Sequence, residues 1–207
     1  MRKKLAILGA GGHGKVIADL AELLGYSIFL FDDRWPDHRT SGAWCVSGNT
    51  AVLIQSLSEY HGVIVAIGDS NLRSKATLEI QGAGGNIATL VHPSASVSRY
   101  ATIAAGSVIF ANVAVNVDSR IGKGAIVNTG ATIDHDCLIG DFVHVSPGAH
   151  LAGNVSVGDR SWVGIGASVR QGIHIGSDVM IGAGAAVVAD VPSGTCVVGV
   201  PARPIAR

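Results

Sequence analysis

Asp134-His135-Asp136 sets an imidazole between two carboxylates, and the triplet occurs nowhere else in the 207-residue chain. An imidazole that is neutral near pH 7 accepts a proton from an attacking amine or hydroxyl, and a neighbouring carboxylate fixes its tautomer and stabilises the imidazolium. A second cluster opens the chain as Gly9-Ala10-Gly11-Gly12-His13-Gly14. Gly9, Gly11 and Gly14 fit G-x-G-x-x-G, and the acidic pair Asp32-Asp33 follows about 20 residues on. Glycines let a phosphate approach the backbone, and a helix N-terminus offers it unpaired N–H groups. The pyrophosphate of a nucleotide sugar satisfies that pattern as well as a dinucleotide does. A tight strand-to-helix turn would also account for the glycines, although His13 adds a polar side chain at its mouth, and Asp32 and Asp33 read equally well as loop carboxylates.

The first cluster needs a sheet to hold it. Leu5–Leu8 reads as a buried strand, and Lys15–Leu24 carries apolar residues at helical spacing until Gly25 stops it. A strand over Ser27–Phe31 ends at Asp32-Asp33. A further strand-helix unit spans Gly62–Gly68 and Asn71–Ile80, with Asp69 or Ser70 as the cap. Alternating strands and helices predict a small Rossmann-like parallel α/β sheet over residues 1–90. That is about half of the sheet that wraps a full dinucleotide, which weighs against NAD.

The histidine triplet sits in a different setting. Sixteen positions six apart, from Val97 through Ile133 and Leu151 to Val187, are all Val, Ile or Leu, without a break in phase. A six-residue period is the sign of a parallel β-helix whose triangular coil takes 18 residues. Residues 91–207 are therefore expected to form such a prism with an extended C-terminal segment. Burying each rung contributes about 1.5 to 3 kcal/mol, and the ladder itself carries no chemistry.

With coils about 4.8 Å apart, residues 18 apart stack. Asn128, Ser146, Gly164 and Gly182 form a column of small side chains that could floor a groove for a long thin ligand. Gly122, Gly140, Gly158 and Gly176 form another, for which turn geometry is the simplest reason. His135 stacks directly below Gly153, so a base and a backbone N–H donor lie one coil apart. His144 is half a coil from His135 and is expected to point from another face; the two could meet across a subunit interface. His150 and His174 are expected to be solvated, while His38 and His61 have no context.

Composition narrows the function. Fifteen Lys plus Arg balance fifteen Asp plus Glu, without a basic block, which removes the electrostatic basis for general nucleic-acid or anionic-membrane binding. No apolar run is long enough to span a membrane. Cysteines at 45, 137 and 196 show no metal-type spacing and are odd in number. With no continuous signal-peptide core after Met1, they place the protein in a reducing cytoplasm.

Gly-Ala-Gly-Gly-His-Gly-Lys-Val after the first strand, Ile126–Thr129, Asp134–Gly140, Val143–Gly148, Ala152–Val155 and Gly199–Ala202 together resemble the bacterial nucleotide-sugar acetyltransferases of the sialic-acid O-acetyltransferase type. That group includes enzymes acting on UDP-, dTDP- or GDP-linked 4-amino-sugars. The resemblance implies a left-handed β-helix, a homotrimer with sites between subunits, and acetyl-CoA as co-substrate with no permanently bound cofactor and no metal. It implies His135 as general base with Asp136 orienting it. His13, Asn128 and His144 would contact the acceptor, and Gly9, Gly11, Gly12 and Gly14 with Asp32 and Asp33 would hold the nucleotide. His144, Gly153, Gly164, Ile165 and Gly182 would hold acetyl-CoA, with the Gly153 N–H facing the thioester oxygen. Some members carry Glu after the histidine where this chain has the shorter Asp136, which leaves Asp134 as an alternative partner for His135.

The expected reaction is transfer of acetyl from acetyl-CoA to the 4-amino group of a nucleotide-linked sugar. Acetylation of a sialic-acid hydroxyl is the nearest alternative. A trimeric zinc lyase and an NAD-binding protein are more distant ones; the first would need His135, His144 and His150 to supply ligands from more than one subunit.

Overall fold

A computed structural model describes residues 2–205. The chain divides into two compact units at Leu90 and Val91.

In the first unit, β1 (Lys4–Leu8), β2 (Ser27–Phe31) and β5 (Gly62–Val65) form the parallel centre of a five-stranded sheet. Its order is β3-β4-β2-β1-β5, where β3 (Thr40–Ser41) and β4 (Trp44–Gly48) are an antiparallel pair. The sheet is therefore mixed at its edge rather than wholly parallel. That edge is a tight hairpin around Gly42, whose φ of +61° a glycine adopts without strain. Buried Leu5, Ile7, Leu30 and Ile64 have no polar alternation because both faces of the central strands are covered.

Helix α1 runs Gly12–Leu23, starting three residues earlier than helical periodicity predicts. Packing overrides glycine's poor helix propensity there: a Cβ on Gly14 would collide with the Gly9 carbonyl oxygen. A short helix α2 (Thr50–Gln55) follows β4, and α3 runs Ser70–Gly82. Asp69 is the α3 cap, its carboxylate accepting from the Leu72 N–H at 2.8 Å.

The second unit is a left-handed β-helix of two-residue strands. One face carries the rung Val97, Val115, Ile133, Leu151, Val169 and Val187, each paired with the residue 18 further on. Ile103, Ile121, Ile139, Val157 and Ile175 make the second face. Ile109, Val127, Val145, Val163 and Ile181 make the third, which continues to Val197 and closes with the antiparallel pair Cys196–Val198 and Arg203–Ile205. The expected extended C-terminal segment is thus a paired strand.

The corners repeat as strictly as the rungs. Gly106, Asn112, Asp118, Gly124, Gly130, Asp136, Phe142, Gly148, Asn154, Arg160, Gly166, Gly172, Asp178 and Gly184, six apart throughout, all have positive φ. Gly and Asn or Asp supply most of them because those residues tolerate the left-handed region. From Gly124 onward each corner N–H donates to the carbonyl 19 residues earlier, as Asp136 does to Val117 at 3.1 Å. Ser107, Ser119 and Ser161 are buried at an inner corner position, yet each donates to a carbonyl of the next coil at 2.5 to 2.7 Å and accepts an N–H from it. Their hydroxyls are satisfied in both directions, as burial requires.

The column Gly122, Gly140, Gly158 and Gly176 has no positive φ. These glycines serve close approach between coils rather than a turn. A Cβ on Gly140 would lie 2.5 Å from Asp159 Oδ1 and 2.8 Å from its amide nitrogen. Gly140→Ala is expected to cost about 1–3 kcal/mol by overpacking, read as a lowered thermal midpoint. An unchanged midpoint would mean that the coils separate freely there.

Candidate active site

The turn after strand Thr132–Ile133 delivers the histidine triplet to one corner of the prism. His135 Nδ1 lies 2.8 Å from Asp136 Oδ2. Asp136 occupies the left-handed corner position, with φ of +59°, and is the carboxylate that pairs with the ring. Asp134 does something else: its Oδ1 accepts from the His135 backbone N–H and from Asn116 Nδ2, each at 2.8 Å. A carboxylate on Nδ1 leaves Nε2 as the ring's free acceptor, the arrangement a general base needs. The Asp136 hydrogen bond, aided by the Asp134 charge, raises the His135 pKa above its ordinary value. Asp134 is held below the usual carboxylate range, chiefly by the Asn116 amide.

Above the imidazole, Gly153 has no side chain because none fits. A Cβ there would lie 2.5 Å from both Cε1 and Nε2 of His135. The stacking read from the 18-residue period is therefore direct contact. The Gly153 carbonyl accepts from the Gly172 N–H at 3.0 Å, while its own N–H has no acceptor among the described residues. Base and free N–H donor thus share one corner.

Asn128 and His144 form a second cluster on the third face. Asn128 Nδ2 lies 3.3 Å from His144 Nε2, and the His144 ring packs against Trp162 with centroids 4.0 Å apart and planes tilted by 49°. Trp162 is a site neighbour missed in the sequence, although it stands one period above His144. His144 is buried, and Ser146 beside it is enclosed with no partner for its Oγ among the described residues. His135 follows a strand of the first face and His144 lies in a strand of the third, so one protomer does not merge them.

Further along that column, a Cβ on Gly164 would meet the Ile181 carbonyl oxygen at 2.5 Å, and one on Gly182 would meet Val198 at 2.7 Å. Both glycines leave a smooth floor, with Ile165 exposed beside it. His150 and His174 lie in strands and are exposed, as expected, and their Nδ1 atoms bond to Thr132 and Ser156 one coil below. Cys137 is buried behind the site, its thiol pushed up by burial and therefore unreactive. Among the described residues no three His, Cys, Asp or Glu side chains gather as a metal-binding group.

In the first unit the glycines divide by role. Gly9 has φ of +111°, and a Cβ there would lie 2.7 Å from the Ala66 carbonyl, so Gly9 and Gly14 are fixed by packing. Gly11 and Gly12 face open space, at the start of a helix whose N-terminus has no side-chain cap. Those two leave room for an anion at the helix end. His13, in the first turn, is pushed down to about 4 by burial and then by the charge of Arg73, so it is neutral at physiological pH.

Asp32 is largely committed. It accepts from Arg34 Nε at 2.7 Å and Nη2 at 2.9 Å, from the Arg34 N–H at 3.1 Å and from the Ala10 N–H at 2.9 Å. Arg34, more than burial opposes, holds its carboxyl well below the usual range. Asp32 therefore braces the glycine-rich turn, helped by Ser41, which donates to the Ala10 carbonyl, and by His38, whose ring lies 3.3 Å from it. Asp33 accepts from the Thr50 N–H at 2.9 Å. Both aspartates line a cavity of about 390 Å³ whose other wall is Leu72, Lys75, Ala76 and Glu79 of α3.

Residues 4–85 match the family described as the PglD N-terminal domain. A UDP-N-acetylbacillosamine N-acetyltransferase of Bacillus subtilis (strain 168) is 38% identical over 112 residues. That match takes in 53% of the chain and only about half, 52%, of the relative's length. Among solved structures, the acetyltransferase domain of PglB from Neisseria gonorrhoeae FA1090 in complex with acetyl coenzyme A is 45% identical, with a TM-score of 0.94 over 99% of this chain and 100% of that one. A histidine-to-asparagine mutant of perosamine N-acetyltransferase from Caulobacter crescentus, in complex with CoA and GDP-perosamine, is 37% identical, with a TM-score of 0.94 over 99% of this chain and 97% of the other.

Proposed function

The chain belongs to the nucleotide-amino-sugar acetyltransferases of the hexapeptide type, and from that premise we propose that it transfers acetyl from acetyl-CoA to the 4-amino group of a nucleotide-linked sugar. The observation that carries the reading is the Asp136-paired imidazole of His135 packed beneath the bare, unpaired Gly153 N–H. The relatives solved with acetyl coenzyme A, or with CoA and GDP-perosamine, cover nearly the whole chain and support it.

The neutral amine of the sugar attacks the thioester carbonyl, and the developing oxyanion is stabilised by the Gly153 N–H. His135 Nε2 takes the proton from nitrogen while Asp136 stabilises the imidazolium. Collapse of the tetrahedral intermediate breaks the C–S bond, and the imidazolium proton goes to the departing sulfur. The amide product and CoA thiol leave, with His135 neutral again.

Residues 1–90 hold the nucleotide sugar in this reading, with the Gly11 and Gly12 backbone at the phosphates, His13 as a neutral partner for the sugar, and the cavity beside Asp33 for the base. Residues 91–207 carry out the transfer. The small column from Asn128 through Ser146 to Gly164 and Gly182 takes the thin arm of acetyl-CoA beside Ile165, with His144 at its reacting end. A homotrimer with sites between subunits is the working assembly. It is supported by the exposure of His135 and Asp136, at 55% and 58%, and of Leu138 and Ile165. No helix among the described residues is long and apolar enough to cross a membrane, and three free cysteines support a cytoplasmic setting.

The deciding experiment is release of CoA thiol from acetyl-CoA with UDP-, dTDP- and GDP-linked 4-amino-sugars, free sialic acid and no acceptor. Release dependent on one amino-sugar nucleotide establishes the reaction and its nucleotide together. Release with sialic acid alone moves the chemistry to oxygen.

The pH profile follows from the His135–Asp136 pair. Because Asp136 raises the His135 pKa, the base form is populated only above that raised value, so activity climbs with pH through it. Asp136→Asn removes the raising charge. The acid limb of kcat/KM is expected to move to lower pH while the plateau falls. An unmoved limb would dissociate Asp136 from the titration.

A further inference from the structure

A base exposed on the corner of a prism needs more than one tether to hold its ring against a substrate. Asp136 fixes Nδ1, but that bond alone lets the ring and carboxylate swing together about the backbone of residues 135 and 136. Below them, Asn116 and Asp134 occupy equivalent positions of consecutive coils, one residue past the rungs Val115 and Ile133. Their backbones are locked in register: the Asn116 N–H donates to the Ile133 carbonyl at 2.9 Å and the Asp134 N–H to the Leu151 carbonyl at 3.0 Å. Asn116 Nδ2 donates at 2.8 Å to Asp134 Oδ1, and the same oxygen receives the His135 N–H at 2.8 Å.

We propose that Asn116 is a positioning residue for the general base, acting through Asp134 Oδ1 to clamp the backbone of His135 to the coil beneath. The His135 peptide is then held from three sides: its N–H by Asp134, its carbonyl by the Asn154 N–H at 2.8 Å, and its ring by Asp136, under the space that Gly153 leaves. The clamp rests on the reading of His135 as base for its catalytic consequence, but not for its existence.

The chain of bonds dictates the mutational pattern. Asn116 is exposed and Asp134 half-buried, so truncating either leaves the core untouched. Asn116→Ala and Asp134→Ala are each expected to lower kcat about tenfold with KM for both substrates within about twofold. The double variant should be no worse than either single one, because linked members of one network do not add. Asp134→Asn keeps an acceptor oxygen for both N–H groups and is expected to hold kcat within about threefold of the parent. A role through the Asp134 charge alone would instead make Asp134→Asn as poor as Asp134→Ala.

The test pairs kinetics with hydrogen exchange of the His135 amide measured by NMR on the full chain. Exchange at that amide is expected to accelerate about tenfold or more in Asn116→Ala and Asp134→Ala, and to stay near the parental rate in Asp134→Asn. Unchanged exchange in Asn116→Ala overturns the clamp whatever the enzyme's activity. Accelerated exchange with parental kcat overturns its catalytic role. A parent inactive on every acceptor sinks the proposed reaction instead, while the exchange data still decide the clamp.

Discussion

His135→Ala is expected to lower turnover about 10²- to 10⁴-fold while acetyl-CoA binding stays within a few-fold of the parent. The side chain is exposed and packs into no core, so its removal leaves the aliphatic ladder and its burial intact. What disappears is the imidazole that packs against the Gly153 corner among the described residues. Asp136 remains, but carboxylates are far weaker bases than an imidazole toward an ammonium-like proton. Stopped-flow or steady-state thiol release, with acetyl-CoA affinity measured in parallel by calorimetry, separates the two quantities. Near-parental turnover would remove His135 from the chemistry. Equal losses in turnover and in acetyl-CoA affinity would make it a binding residue.

Gly153→Ala has an expected loss of about 10²- to 10³-fold in kcat from the addition of one methyl group. The new Cβ would lie 2.5 Å from two ring atoms of His135. Something must move, and the exposed imidazole is the movable partner. Displacing it moves Nε2 away from the Gly153 corner, so base and proposed oxyanion donor no longer act as a pair. The coil itself should survive, since the nearest atoms belong to a flexible side chain rather than to backbone. Thermal melting close to the parental value with a collapsed kcat is the expected result. A variant that keeps its rate would show that the thioester oxygen finds its donor elsewhere.

The β-helix was legible in the sequence because its physics is periodic. Residues six apart must point inward, and any polar substitution in the rungs would be buried, so Val97 through Val187 carry the fold openly. The 18-residue stacking that follows put Gly153 over His135 without coordinates. The left-handed corners are harder to read, because Phe142 and Arg160 hold the same φ as glycine and aspartate there. Gly122 and Gly140 show the converse: a glycine column suggests a turn, whereas the cause is contact with the next coil, which only a three-dimensional register displays.

The α/β unit was legible in its parallel centre and less so at its edge. Thr40–Ser41 and Trp44–Gly48 are too short for a convincing alternation, and α2 has six residues, below the length at which helical periodicity emerges. Asp32 shows a limit of another kind. Its spacing from the glycine-rich turn fits a ribose-binding acid, yet its oxygens are taken by Arg34 and Ala10, partners that depend on loop geometry. Asn116 had no motif to announce it, since its significance comes wholly from lying one coil below Asp134.

Pairing each rung from Val97 to Val169 with the residue 18 further on gives this parallel sheet an unusual kinetic character. Parallel strands ordinarily fold slowly because a long connection must close before any pairing is rewarded. Here each new strand closes the same modest loop onto a template that the previous coil has already formed. Assembly can proceed by accretion, each coil seeding the next, and a defect introduced in one coil should stall growth at that point instead of raising the barrier for the whole unit.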